Sequence, residues 1–285
     1  MSEEATIRWT AAGEEVTAGT TTIGTGPTAL LLPALSSIST RGEMLPLQHR
    51  LSGRYRTVAI DWPGFGTGAK PRVDWTPDVL AAFVRFVFGS IASDTVLVVA
   101  AGHAAGLLLR EAAAIPASVE QIVLIAPTWR GPFPTMMKGH RPWFGRIRKL
   151  VDAPVIGPLV YKLNVNGFVI RHMAAGHVYA DKAWLDGERL QAKRAVTAAP
   201  GARHGSVRFV TGGLDPFTSR EAFLAAAGTC PVPIRMVYGA DTPRKSKAEM
   251  DALRDMAGVE TIELPVGKLS VHEEFPDQVA QAIGV

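Results

Sequence analysis

A single cysteine, Cys230, stands in 285 residues. One thiol excludes an internal disulfide and any cysteine-only zinc site. A reducing compartment is compatible, and a cytoplasmic location is expected. Charge is nearly balanced: a net +4 over this length gives no reason to expect a nucleic-acid partner. No apolar run approaches the roughly 18 residues of a membrane span. The first residues, MSEEATIRW, carry acids and no apolar run, unlike a secretory signal. Internal repeats and low-complexity tracts are missing. So is any G-x-x-x-x-G-K phosphate loop. His172, His177 and Asp181 have poor metal-ligand spacing, so neither a metal nor a cofactor is expected.

Hydrophobic residues make up 47% and charged residues 20%, the balance of a folded globular protein. The length fits one α/β domain carrying an insertion. Residues 5–23 alternate β-branched and polar side chains around Gly13 and Gly19, as in an antiparallel hairpin. Short apolar runs recur at 28–32, 57–60, 96–101, 121–126, 234–239 and 259–264. Helical patterns separate them at 43–51, 76–88, 245–256 and 276–283, with Thr76 and Pro77 opening the second. This alternation predicts a mostly parallel sheet with right-handed crossovers. It stops over about 133–230, where helix-type segments are broken by Gly and Pro.

The β-type run from Val96 passes into a Leu-rich helical run through Gly102-His103-Ala104-Ala105-Gly106. That spacing is the G-x-S-x-G nucleophile turn, with Ala104 at the serine position. A second motif, Asp61-Trp62-Pro63-Gly64-Phe65-Gly66-Thr67-Gly68, follows the strand at 57–60. On these motifs and the order of elements, the chain resembles the α/β-hydrolase superfamily. With Ala126-Pro127-Thr128-Trp129 and Lys247-Ala248-Glu249-Met250, it also resembles an alanine-elbow group of that superfamily found in photosynthetic and other bacteria and in plants. The resemblance implies a mostly parallel twisted sheet flanked by helices. Its core would be 1–132 and 231–285, with 133–230 as an inserted helical cap.

A hydrolase of this kind needs Ser, then Asp or Glu, then His. Ala104 has no oxygen to attack with. The acid's usual place, three residues after Gly239, falls one beyond Asp241. Lys268 follows Gly267 where the histidine is usual, and counting back from Glu274-Phe275-Pro276 gives Leu269. His272 aligns with a second, non-catalytic histidine of the family. The strand at 28–32 ends in Pro33-Ala34 rather than His-Gly, which leaves Leu35 or Ser36 to offer an oxyanion N–H. Departures at all these positions favour a natural loss over a serine removed to trap a substrate.

The catalytic candidates are His272 paired with Asp241, and His103. Each has a structural alternative. His103 can pack beneath the turn. His272 can sit at a surface helix entry. Asp241 can cap the helix after Pro243 or pair with an arginine. A pocket is expected over Ala104 and Ala105, edged by Leu35, Ser36, Trp62, Trp129 and Arg130 at strand ends. Cap residues between Phe133 and Tyr179 would roof it. Ser36, Ser37 and Ser39 read as turn formers. The basic run from Lys138 to Lys149 reads as a solvated face, or as a contact with a membrane surface or an acidic ligand. The resulting expectation is a non-hydrolytic enzyme, of lyase, cyclase or isomerase type, acting on a small apolar or amphipathic molecule. A silent relative that binds a small ligand or partner protein is the alternative, and a hydrolase engineered at Ala104 is the third.

Overall fold

A computed structural model of the chain describes residues 2–285. Strands β1 (Ser2–Ala11) and β2 (Glu14–Ile23) form an antiparallel hairpin. Ala12 and Gly13 turn it with φ of 50° and 88°, the paired positive values that match strand twist in a two-residue loop. Gly19 lies within β2 instead, where a Cβ would collide with the Arg41 guanidinium. The missing side chain lets Arg41 cross the strand and reach Glu4 on β1.

The chain continues through β3 (Thr28–Leu32), a 3-10 turn (Arg41–Met44), α1 (Leu45–Leu51), β4 (Arg56–Ile60) and α2 (Pro77–Ser90). Then come β5 (Thr95–Ala101), α3 (His103–Arg110) and β6 (Gln121–Ile125). A helical insertion follows: α4 (Pro132–Met136), α5 (Phe144–Asp152), α6 (Ile156–Asn164), α7 (Gly167–His177), α8 (Gly187–Ala198), α9 (Ala202–Val210) and α10 (Arg220–Gly228). Finally β7 (Ile234–Gly239), α11 (Arg244–Arg254), β8 (Val259–Leu264), α12 (Val271–Glu274) and α13 (Pro276–Ile283) complete the core. The helical pattern at 43–51 is thus divided between the 3-10 turn and α1.

The eight strands form one sheet in the order β1-β2-β4-β3-β5-β6-β7-β8. Pairing is antiparallel at β1/β2 and β2/β4 and parallel elsewhere. All of β3 is buried, as in a strand covered on both faces. Strand order reverses at β3, with β4 on one side and β5 on the other. In open α/β sheets the crevice beyond the carboxyl ends of such strands is where ligands bind. Around the sheet α1 packs on α13, while α2, α3 and α10 pack in succession.

The Asp61–Gly68 loop braces itself beside that crevice. Asp61 is fully buried, which a carboxylate tolerates only when paired and hydrogen-bonded. It accepts the Arg41 N–H and Nη1–H, each at 2.6 Å, and the Thr67 N–H and hydroxyl at 3.1 and 2.8 Å. Gly66 crosses over it at φ 58°, where a Cβ would collide with the Asp61 carboxyl. Gly66→Ala should therefore lose roughly 2–5 kcal/mol, the sum of left-handed strain and overpacking. Gly13→Ala has a φ of 88° and no atom within 4 Å of a new Cβ, and should lose only about 1–2 kcal/mol. Urea unfolding of both variants is the measurement, and equal losses would remove the collision from the account.

Candidate functional site

One residue hands the chain from β5 to α3. Gly102 has φ 54° and ψ −125°, open to glycine and strained for other residues. Its N–H donates to the Ile125 carbonyl at 2.8 Å, and its carbonyl accepts from the Thr128 N–H at 3.0 Å. The segment at and after β6 therefore fixes the turn. Gly102 is its tip. Ala104, expected there, is the second residue of α3 and fully buried. The correction is two residues: Ala100-Ala101-Gly102-His103-Ala104 has the same small-residue spacing as 102–106, and the positive φ selects it. Neither Gly102 nor Ala104 carries a nucleophilic atom. A serine at 104 would lie inside the helix, which removes the motive for engineering one away.

The loop after β3 closes on this tip, and a Cβ on Gly102 would stand 3.2 Å from the Ala34 Cβ. Leu35 is buried. The Ser36 hydroxyl accepts the Ile38 and Ser39 N–H groups at 3.3 and 3.1 Å and meets the Ser39 hydroxyl at 2.6 Å, forming the turn.

His103 opens α3 with a buried ring. Its Nε2 donates to the Leu214 carbonyl at 3.0 Å and stands 3.9 Å from Asp215 Oδ1. Burial holds its pKa below the ordinary value, against the Asp215 charge and the Leu214 bond. The neutral ring ties α3 to the end of the insertion, which is the packing alternative. His272 is fully buried in α12, not at a surface helix entry. Among the described residues neither of its ring nitrogens has a hydrogen-bond partner. Asp241 is exposed, and its N–H donates to the Gly267 carbonyl at 3.1 Å. The expected His272–Asp241 dyad is therefore not assembled. Nor does Asp241 cap α11, whose N-cap residue is Pro243 and which has no side-chain cap.

The tryptophans expected at a pocket edge are spent on the core. Trp62 donates Nε1–H to the Pro33 carbonyl at 2.8 Å. Trp129 donates Nε1–H to Glu249 at 3.0 Å, and Arg130 and Arg220 reach the same carboxylate at 2.5 and 2.8 Å. Burial pushes the Glu249 pKa up, but bonds from Arg220 and Trp129 and the nearby Arg charges hold it below the usual range.

Two cavities lie elsewhere. One, of about 680 Å³, is bounded by α6, α8 and α9. The other, of about 500 Å³, opens between α8 and the loops after β3 and β4, with Thr40, Glu43, Thr67, Lys70, Lys193 and Glu273 on its walls. Ala104, Ala105, Leu35, Ser36, Trp62, Trp129 and Arg130 line neither. The smaller cavity carries a charged group that sequence reasoning missed. Glu43 and Lys193, 3% and 6% exposed, form an ion pair. Lys193 Nζ lies 3.7 Å from Glu273, whose carboxylate accepts the Tyr179 hydroxyl at 2.7 Å. Burial drives the Glu43 pKa up, Lys193 draws it down, and Glu273 adds to the rise. Burial lowers Lys193, but the two carboxylates outweigh it and keep its charge. Glu43 Oε2 has no hydrogen-bond partner among the described residues. On the same cavity Lys70 Nζ donates to the Phe65 and Gly66 carbonyls at 3.2 and 2.5 Å. The cavity wall thus carries two held cations, Lys70 and Lys193, and the carboxylates of Glu43 and Glu273. Among the described residues no cluster of three His, Cys, Asp or Glu is placed to hold a metal ion.

A model of the alpha/beta hydrolase family matches residues 29–282. The chain belongs to that family. Solved structures of similar fold come from enzymes of varied chemistry. A thermophilic esterase from Thermogutta terrifontis is 17% identical at a TM-score of 0.69, over 99% of this chain and 96% of its own. The Cif epoxide hydrolase from Acinetobacter nosocomialis is 16% identical at 0.73, over 98% and 88%. Haloalkane dehalogenase DbeA from Bradyrhizobium elkani is 17% identical at 0.71, over 99% and 96%. At such identity the likeness carries the fold and no activity. No curated protein sequence matches the chain.

Within this hydrolase fold the buried imidazole of His272 makes a definite pH signature. Burial lowers its pKa from 6.5 to about 4, opposed by Glu273 and reinforced by Lys193. The unfolded chain then binds more protons between those values, so this group's contribution to stability falls as pH drops through the window. The full change is roughly 3 kcal/mol. His272→Leu keeps the volume and removes both nitrogens. Measured by urea unfolding, the variant should gain about 3 kcal/mol on the native protein between pH 7 and pH 4. A difference that stays constant with pH would show that His272 does not titrate there.

Proposed function

We propose that this chain is a non-hydrolytic member of its family that binds a small amphipathic molecule under the helical insertion, which serves as its cap. The supporting observation is the division of labour just described. The strand–helix turn ends in a glycine with no nucleophile beside it, whereas the smaller cavity gathers Glu43, Lys193, Lys70 and Glu273. Buried charges facing a void suit a polar head, and the apolar walls suit a short tail. The esterase, epoxide hydrolase and dehalogenase named above are similar in fold, and their chemistries need a reacting group that Gly102 cannot supply.

A second reading, proton transfer on the bound molecule, rests on Glu43. Burial pushes its carboxyl pKa up to about 7 against the pull of Lys193, and its Oε2 has no hydrogen-bond partner among the described residues. The enzyme reading built on His272 with Asp241 loses its support, since neither side chain lines a described cavity.

The test has two arms. A fluorophosphonate probe should label no serine, and short p-nitrophenyl esters should turn over at the background rate. Ala104→Ser and Gly102→Ser should behave alike, because no base stands at the turn in the required relation. Labelling that a serine substitution abolishes would overturn the non-hydrolytic reading. In the second arm, anilinonaphthalene sulfonate serves as an amphipathic probe. The exposed Ala192 on the cavity wall, changed to Trp, should weaken its saturable binding by about tenfold, the loss of one well-packed contact region. Unchanged binding would move the ligand site elsewhere.

A further inference from the structure

Large apolar side chains are exposed mainly in one region. Of the eleven such residues among those described, nine fall within 136–173, on α4 to α7 and their links. Val155, Leu159, Leu163 and Phe168 are 83%, 63%, 65% and 80% exposed. A single exposed leucine means little, but several crowded into one short segment point to an interaction surface.

Packing explains why these residues face out. Gly157 on α6 sits against α5, where a Cβ would collide with the Val151 carbonyl. That close contact turns one side of α6 inward. Ile156, Leu159 and Leu163, spaced three and four apart, share the other side of the helix. All three are exposed.

Along this segment the charge is predominantly positive, with Arg171 paired to Asp186 at 3.3 Å. Residues 136–178 contain seven Lys and Arg and a single acid, Asp152. Asp152 is occupied by His204 and Arg208, at 2.6 and 3.0 Å. Lys149 and Lys162 are exposed beside Leu150 and Leu163. Lysine stems can lie along apolar surface while their ammonium groups reach outward. Leucines and a phenylalanine edged by lysines match the boundary between acyl chains and anionic headgroups. A second copy of the same face would set like charges against each other, which opposes self-pairing. Among the described residues no helix is long and apolar enough to cross a membrane, so the contact is with a surface.

We propose that the α5–α7 face of the insertion docks on an anionic lipid bilayer. It inserts Ile156, Leu159, Leu163 and Phe168 among the lipids and sets Lys149 and Lys162 against their headgroups. Docking is separate from the ligand cavity, whose charged wall lies on α8 and the core loops.

The full chain is mixed with vesicles of phosphatidylcholine alone, or of phosphatidylcholine with roughly one-third phosphatidylserine, and sedimented. Binding to the anionic vesicles is expected, with weaker binding at higher salt and none to the neutral vesicles. Leu159→Asp with Leu163→Asp should reduce it by about tenfold or more, from lost apolar burial. Lys149→Glu with Lys162→Glu should reduce it by at least about tenfold, from reversed charge. All four positions are exposed, so both variants should keep the native melting curve. Equal sedimentation with both vesicle types overturns the proposal. So does full retention by the double Asp variant. A solution dimer by light scattering that the double Asp variant dissociates would assign the face to a second copy instead.

Discussion

A buried ion pair seats the insertion on the core. Lys193 comes from α8, Glu43 from the 3-10 turn after β3, and the pair lies almost wholly out of water. Glu273 and Tyr179 extend it, so insertion, sheet and α12 share one polar group. Replacing such a pair by apolar residues can be neutral. Removing one member strands the other and typically costs about 3–5 kcal/mol. The pair therefore acts as a register pin. If Lys193 sits anywhere else, Glu43 is buried unpaired. The smaller cavity exists because α8 is held at that distance from the loops of β3 and β4.

The same pin decides what faces solvent. With α8 anchored and α5 tied to α9 through Asp152, His204 and Arg208, α6 has one packed side. Its other side carries leucine where a solvated helix would carry charge. An apolar pattern in this helix reports two surfaces, and only the inward one belongs to the core.

Much of the fold was legible because the strands are short, wholly apolar runs set between helical patterns. The β3 sequence Thr28–Leu32 and the β6 sequence Gln121–Ile125 could hardly be anything else. The nucleophile turn was found but placed two residues late. Small residues at 100, 102, 104 and 106 satisfy the spacing in two registers, and only a dihedral angle distinguishes them. Trp62 lies two residues past β4, and Trp129 and Arg130 lie four and five residues past β6. Their polar atoms go to Pro33 and Glu249, partners that spacing cannot reveal. The polar group around Lys193 was invisible for a plainer reason. Glu43 and Lys193 are 150 residues apart in the chain, and each alone looks like an ordinary surface charge. His272, read as a surface residue or half of a dyad, is a buried ring with no hydrogen-bond partner among the described residues, because α12 packs against α1, α13 and the 3-10 turn.

Glu274 has a consequence for the order in which the molecule is built. Its carboxylate accepts the N–H groups of Ala180 and Asp181 at 2.8 and 3.0 Å, while its neighbour Glu273 holds Tyr179 and approaches Lys193. These are contacts of high sequence separation, which close late because the intervening chain must first give up its freedom. The helices of the insertion emerge during synthesis long before the segment that fastens them. Until β7, β8 and α12 are in place, the insertion has its own small cluster around Ile170, Ala174, Tyr179 and Leu185 and an undocked underside. A nascent chain paused at that stage would show its apolar surfaces to chaperones, and the last strand and helix to form would convert a loose helical appendage into a seated one.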